Sequence, residues 1–298
     1  MSNTDQIQRF MFDEQDIRGE LTNLSEAYQT IVSKHQYPEK VQSLIGEWLA
    51  AASLLSEILK FDGSVILQAR GAAGIGILMA ECTHDQKVRA IAQVNGDITG
   101  DTIPQLFGAG HIVITISPKN GSRYQGIVPM DADSLAGCLE HYFEQSEQLP
   151  TRIWLECDGT QASGLFLQKL PGAQDQTDEE KEEQANQWEH ITALASTIKQ
   201  EELLQLDNET ILHRLYHEED LRLFESEDIE FDCTCSRERS AASIQTVGKE
   251  ELLEIIKEEK QVSVTCQFCN ETYSFDEIDI HAMFATNSVS DNSSETPN

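Results

Sequence analysis

Apolar and polar positions alternate or recur along this chain in ways that predict its elements. Residues 22–36 and 39–60 read as helices. In the second, Val41, Leu44, Ile45, Trp48, Leu49, Ala52 and Leu55 recur at helical spacing behind Pro38. Short apolar runs then follow at 65–70, 76–82, 88–94 and 111–117, separated by Gly and Asp/Asn clusters, which is the mark of strands. A helix over 132–145 precedes a further strand pair at 152–157 and 164–170. Close strand spacing favours hairpins over crossovers. The fold class expected is therefore α+β, a mixed N-terminal domain with antiparallel-rich sheets rather than a doubly wound one.

The Leu170-Pro171-Gly172 step punctuates the pattern, and four segments follow from it. These are a core domain over 1–172, a helical linker over 173–232, a small cysteine-bearing domain over 233–286 and a polar, disordered tail over 287–298. The linker is helical over 178–219. One apolar stripe in it holds Trp188, Ile191, Leu194, Ala195 and Ile198, and another holds Ile211, Leu212, Leu215 and Tyr216, among the charged runs DEEKEE, KQEE and HEED. The stripes need a partner surface while the charge favours water. A docked linker of conditional stability fits this pattern, as does an ordinary solvated helical hairpin. The last segment carries a helix over 249–259, strands over 261–265 and 272–275, and a short helix near 276–284.

Charge sharpens the picture. The 298 residues include 21 Lys+Arg against 52 Asp+Glu, a net charge of −31. Residues 173–232 hold 4 basic and 19 acidic residues, so about half the excess lies in the linker. Such a chain repels phosphate backbones, and no Lys/Arg-rich run offsets this, so nucleic acid is excluded as a partner. The first residues lack a basic and then apolar leader, and no stretch approaches the roughly 18 apolar residues of a membrane helix. A cytosolic protein without membrane partner is expected.

Seven cysteines then matter, because a reducing cytosol disfavours structural disulfides. Cys82, Cys138 and Cys157 fall in apolar runs and read as buried, inert thiols. The other four form Cys233-Thr-Cys235 and Cys266-Gln-Phe-Cys269, two chelating pairs separated by residues 236–265. Four thiolates so spaced can close a tetrahedral zinc shell. The loop closure costs a few kcal/mol, small beside the about 10–16 kcal/mol of structural zinc. The sequence alone leaves an iron–sulfur cluster open. The C-x-C half is unusual, since common zinc ribbons use two C-x-x-C pairs. Each close pair can form a local disulfide once the metal leaves, and oxidation removes the thiolates the metal needs. A redox sensor and a plain structural zinc module both fit these residues.

Other signals carry less. His213 and His217 stand at i, i+4, but in HRLYH rather than H-E-x-x-H. GAAGIG at 71–76 runs into a strand, not a helix, so it makes a poor dinucleotide loop. Asp97 and Asp101 read as turn chemistry. No P-loop and no G-x-S-x-G are present. The chain is read as a non-enzyme without catalytic residues; an enzyme with a structural zinc ribbon and an active site in 1–172 is the competing reading.

At CTCSRERSAASI (233–244), GKEELLEII (248–256) and VTCQFCNETYSFDEIDI (264–280) the chain strongly resembles the redox-regulated 33-kDa heat-shock chaperone family. The likeness extends through 70–94, 96–116 and 124–155, while the linker matches in position and charge more than in sequence. The resemblance implies an ATP-independent cytosolic holdase whose reduced, zinc-bound form is inactive. It implies Cys233, Cys235, Cys266 and Cys269 as ligands of one zinc. It also implies disulfides Cys233–Cys235 and Cys266–Cys269 on oxidation, zinc release, linker unfolding, dimerisation, binding of unfolding clients and their transfer to an ATP-driven chaperone system. Trp188, Ile191 and Ile198 then mark the client-binding surface, together with the face of the first domain they cover when docked.

Overall fold

The computed structural model describes residues 5–13, 15–57, 62–172 and 176–285. The chain divides after Asp232 into two compact units. The first unit contains β1 (Gln6–Phe12), β2 (Ile17–Leu24), α1 (Glu26–Val32), α2 (Glu39–Ser56), β3 (Gly63–Arg70), β4 (Ile75–Thr83) and β5 (Lys87–Val94). It continues with α3 (Ile103–Phe107), β6 (His111–Pro118), β7 (Tyr124–Pro129), α4 (Leu135–Tyr142) running into a wider π turn (Phe143–Glu147), β8 (Thr151–Cys157) and β9 (Ala162–Lys169). Three helices, α5 (Asp178–Ala195), α6 (Gln200–Gln205) and α7 (Asn208–Tyr216), lead to short strands β10 (Leu221–Leu223), β11 (Glu227–Asp228) and β12 (Glu230–Phe231).

Two six-stranded sheets result. The first runs β10-β1-β2-β9-β8, with β11 also on β1; the second runs β12-β5-β4-β3-β6-β7. Every pairing is antiparallel except β12 on β5. The expected α+β class with antiparallel-rich sheets is what the structure has. Helix α2 packs against strands of both sheets, which explains why it is buried nearly all round rather than along one stripe. Small residues let two sheets approach one helix. A Cβ on Gly46 would sit 2.5 Å from Cys157 Sγ. Cys82 and Cys138 are buried as expected, whereas Cys157 is only half-buried.

The inner side of the first sheet is not uniformly apolar. Thr22, Ser53, Gln86 and Ser56 form a buried hydrogen-bonded chain between β2, α2 and the turn before β5. Glu20 on β2 is 0% exposed, and neither carboxylate oxygen has a hydrogen-bond partner; Arg18 Nε stands 4.0 Å away. Burial raises the Glu20 carboxyl to about 8, against the opposing pull of Arg18.

The outer face of the first sheet is covered by the linker helices. Phe10, Phe12, Ile17, Leu21, Leu165 and Leu167 meet Ile191, Ala195, Leu203, Ile211, Leu212, Leu215 and Tyr216 in one apolar cluster. Local chemistry starts these helices cleanly. Thr177 and Glu180 form a capping box at α5, and Asp207 accepts from the Thr210 amide at α7. Asp178, Glu179 and Glu180 lie in the first turn of α5, at the positive end of its dipole, so this part of the DEEKEE run stabilises the helix.

Several expectations need correction. The helix expected over 22–36 loses Thr22–Leu24 to β2, because these residues pair with Gly164–Ala162 of β9; the helix starts at Glu26. The helix expected from 132 starts at Leu135, capped by Ser134. The hydrophobic pattern does not predict strands β1, β2, β7 and β10–β12, helix α3 or the helix over Arg237–Gln245. Residues 58–60 of the expected 39–60 helix and the whole 287–298 tail lie outside the described residues. Among the described residues, no helix is long and apolar enough to cross a membrane.

Candidate metal centre

The second unit is small. It holds α8 (Arg237–Gln245), α9 (Lys249–Glu259), a hairpin of β13 (Val262–Thr265) and β14 (Thr272–Phe275), and α10 (Glu277–Ala285). Its core is six buried side chains, Ile244, Leu252, Ile256, Val262, Phe275 and Ile280. So few apolar groups stabilise a domain poorly without a staple.

The staple site is built at two turns. Cys266 and Cys269 sit in the turn between β13 and β14. There the Cys266 amide donates to Glu271 O at 2.8 Å, the Asn270 amide donates to Cys266 O at 2.9 Å, and Asn270 adopts φ 61°. Asn tolerates that left-handed conformation better than most residues, which lets the turn close tightly. Cys233 and Cys235 lie just before α8, whose N-cap Ser236 accepts from the Arg239 amide. Arg237 fixes α8 to the hairpin. It donates to Ser274 O and Asp279 Oδ2 at 2.6 Å each, and its guanidinium lies 4.4 Å from the Phe275 ring centre.

These turns bring all four sulfurs within 4.8 Å of one another. The short approaches run across the motifs, Cys233 Sγ to Cys266 Sγ at 3.6 Å and Cys235 Sγ to Cys269 Sγ at 3.3 Å. Four sulfurs around a tetrahedral ion with bonds of about 2.3 Å would be separated by about 3.8 Å. The donor set and its spacing therefore suit a thiolate-loving divalent ion. Burial alone raises the Cys266 thiol, but the amides of Cys269 and Phe268 and the neighbouring sulfurs outweigh it, bringing it to about 7. Burial and neighbouring sulfurs push Cys269 up to about 12, and Cys233 is raised, chiefly by burial. One thiolate forms easily; each further one meets like charge, which only a bound cation relieves. All four cysteines are half-buried.

One contributor was not legible from spacing. The Tyr273 hydroxyl on β14 lies 3.3 Å from Cys235 Sγ. Its sequence signal is slight, an aromatic four residues beyond Cys269.

Elsewhere the sequence candidates separate. His213 on α7 and His217 at its C-cap are exposed and stack with ring centres 5.9 Å apart. Asp101 pairs with Lys40 rather than assembling an acidic cluster, and GAAGIG leads into β4. Among the described residues, the four clustered cysteines are the one group of three or more His, Cys, Asp or Glu arranged to hold a metal ion. Ile191 is fully buried in the linker–sheet cluster, and Trp188 and Ile198 are half-buried against it.

Comparison with known proteins agrees over nearly the whole length. The family model described as Hsp33 protein matches residues 5–276. The chain is 47% identical over 288 residues to a 33 kDa chaperonin of Pseudomonas paraeruginosa, covering 96% of each. It is 47% identical over 282 residues to one of Shewanella sediminis, covering 94% of this chain and 96% of that one. The crystal structure of the 33 kDa chaperonin of Thermotoga maritima superposes with a TM-score of 0.81 at 19% identity, over 96% of this chain and 99% of that one, which speaks to the fold.

Proposed function

The chain belongs to the Hsp33 chaperone family, and we propose that it is a redox-regulated, ATP-independent holdase switched by its four clustered cysteines. The observation that supports this most is the chain order of two features. A helical linker covers an apolar sheet face, and the chain then enters a unit whose small core needs its sulfur site.

In the reduced state Cys233, Cys235, Cys266 and Cys269 hold zinc. The zinc, when bound, keeps four sulfurs as thiolates and cross-links the two turns. Two-electron oxidants such as hypochlorite convert Cys233–Cys235 and Cys266–Cys269 to disulfides. Four sulfurs lose four electrons to two oxidant molecules, and the site changes from a net −2 to 0 as its metal ligands vanish. The second unit then lacks its staple, and the linker, of conditional stability, leaves the sheet. Trp188, Ile191, Ile198 and the face beneath them become available to unfolding proteins. A differential of a few kcal/mol suffices for such a shift. The linker's surplus of acids keeps the opened form soluble. The active form dimerises, works in the cytoplasm, performs no catalysis and passes clients to an ATP-driven chaperone system.

The test is direct. Zinc-loaded reduced protein is treated with hypochlorite; zinc release is followed with a chromogenic chelator, and suppression of client aggregation is followed without ATP. Both should appear together. Zinc release without suppression would overturn the reading.

A further inference from the structure

The segment between the linker helices and Cys233 is bound chiefly as a strand. After α7 the chain lays β10 and β11 antiparallel along β1, then β12 parallel along β5. One span, residues 221–231, thus occupies edges of both six-stranded sheets. Main-chain bonds continue between the paired pieces: the Phe224 amide donates to Arg9 O at 3.0 Å, Ile229 to Asp5 O at 2.7 Å and Glu230 to Gln86 O at 3.1 Å. Three side chains anchor it. Ile229 is buried in the main core, Phe231 packs at its edge, and Phe224 lies under the Arg9 guanidinium at 4.3 Å. The paired pieces are only 3, 2 and 2 residues long, on edge strands of 7 and 8. Glu225, Glu227, Asp228 and Glu230 in the span are acidic and exposed. A strap so held is marginal, and Asp232 passes directly into Cys233.

A bare edge strand presents unpaired N–H and C=O groups and accepts almost any extended chain. We propose that residues 221–231 are a built-in strand mimic, and that the β1 and β5 edges they occupy receive an extended segment of an unfolded client when the strap leaves. This rests on the holdase reading and names its client chemistry: an unpaired backbone with large apolar side chains at alternate positions, as at Ile229 and Phe231. Main-chain recognition accounts for a binder that accepts many unrelated unfolded chains.

The experiment uses the full oxidised chain with a reduced, alkylated model protein that cannot refold as client. Backbone hydrogen exchange should show residues 6–12 and 87–94 losing protection on oxidation and regaining it with client. A peptide copying residues 221–231 should compete with the client, and the same peptide N-methylated at the positions of Phe224 and Ile229 should compete about tenfold less well, having lost two main-chain donors. Phe224→Pro, which removes one strap donor and leaves the cysteines alone, should raise client binding by the reduced, zinc-loaded protein. Aggregation suppression with no protection at either edge, or equal competition by the methylated peptide, would overturn the edge proposal and leave the holdase reading standing. No suppression after oxidation would overturn both.

Discussion

The Tyr273 hydroxyl, near the start of β14, stands 3.3 Å from Cys235 Sγ. A metal-bound thiolate is an acceptor only, so in the loaded site the hydroxyl donates. That bond disperses sulfur charge and makes Cys235 a poorer nucleophile toward oxidants. Outer-shell partners of metal ligands typically change affinity or activity by about 10–100-fold. Tyr273→Phe should therefore hold zinc at least tenfold more weakly and release it several-fold faster under hypochlorite, as read by a chromogenic chelator. Unchanged release kinetics would remove Tyr273 from the switch.

Metal removal should unfold the second unit and leave the two-sheet core of the first folded. The second unit has six buried core side chains, whereas the first has two sheets around α2. A zinc chelator under reducing conditions should abolish hydrogen-exchange protection over 233–285 while the inner strands of both large sheets, β2 and β9 in one and β3, β4 and β6 in the other, stay protected. Cys266→Ser with Cys269→Ser should do the same and leave the chain without stoichiometric metal by elemental analysis. Retention of zinc at wild-type affinity would refute the ligand assignment.

Linker docking depends on a few large contacts. Ile191 is 0% exposed in the cluster with Phe10, Phe12 and Tyr216. Ile191→Ala removes buried apolar volume at a cost of about 2–5 kcal/mol. Protease cleavage within 178–216 should accelerate in the reduced protein, with the cysteine site still loaded. Client binding before oxidation should rise in parallel. Cleavage at the wild-type rate would show that this stripe does not hold the linker.

Glu20 predicts a pH dependence. Its carboxyl is raised to about 8 in the folded chain by burial, from 4.5. The folded state therefore binds the proton more tightly than the unfolded one. Stability is full below about 4.5, falls as pH rises towards about 8, and levels off above. The full loss amounts to a few kcal/mol. Glu20→Gln should flatten this slope and stabilise the first unit at pH 8 in denaturant melts. A parallel pH profile in the variant would reject the assignment.

The linker's acids are expected to keep the oxidised form dispersed. Replacing Glu179, Glu180, Glu182 and Glu183 by Gln should produce light scattering after oxidation, but not before it. Unchanged solubility would assign the charge no such part.

Much of this architecture is local and could be read along the chain. The C-x-C and C-x-x-C spacings point to four converging sulfurs, because chelation depends on short loops. The apolar repeats of α2 and the runs of β3–β6 likewise carry their own period. The linker stripes of Ile191 and Ile211 declare a covered face without saying what covers it. Tertiary structure decided what depends on partners distant in sequence. Residues 22–24 look helical until β9, far along the chain, pairs with them, Leu24 against Ala162. The acidic span 221–231 has too little apolar alternation to read as strand, and only the open edges of β1 and β5 make it one. Nothing in the sequence around Glu20 announces its burial, which the folded first unit imposes. Helix and chelate information is local and survives in sequence. Strand pairing and buried charge are properties of contacts, and exist only once the chain has folded.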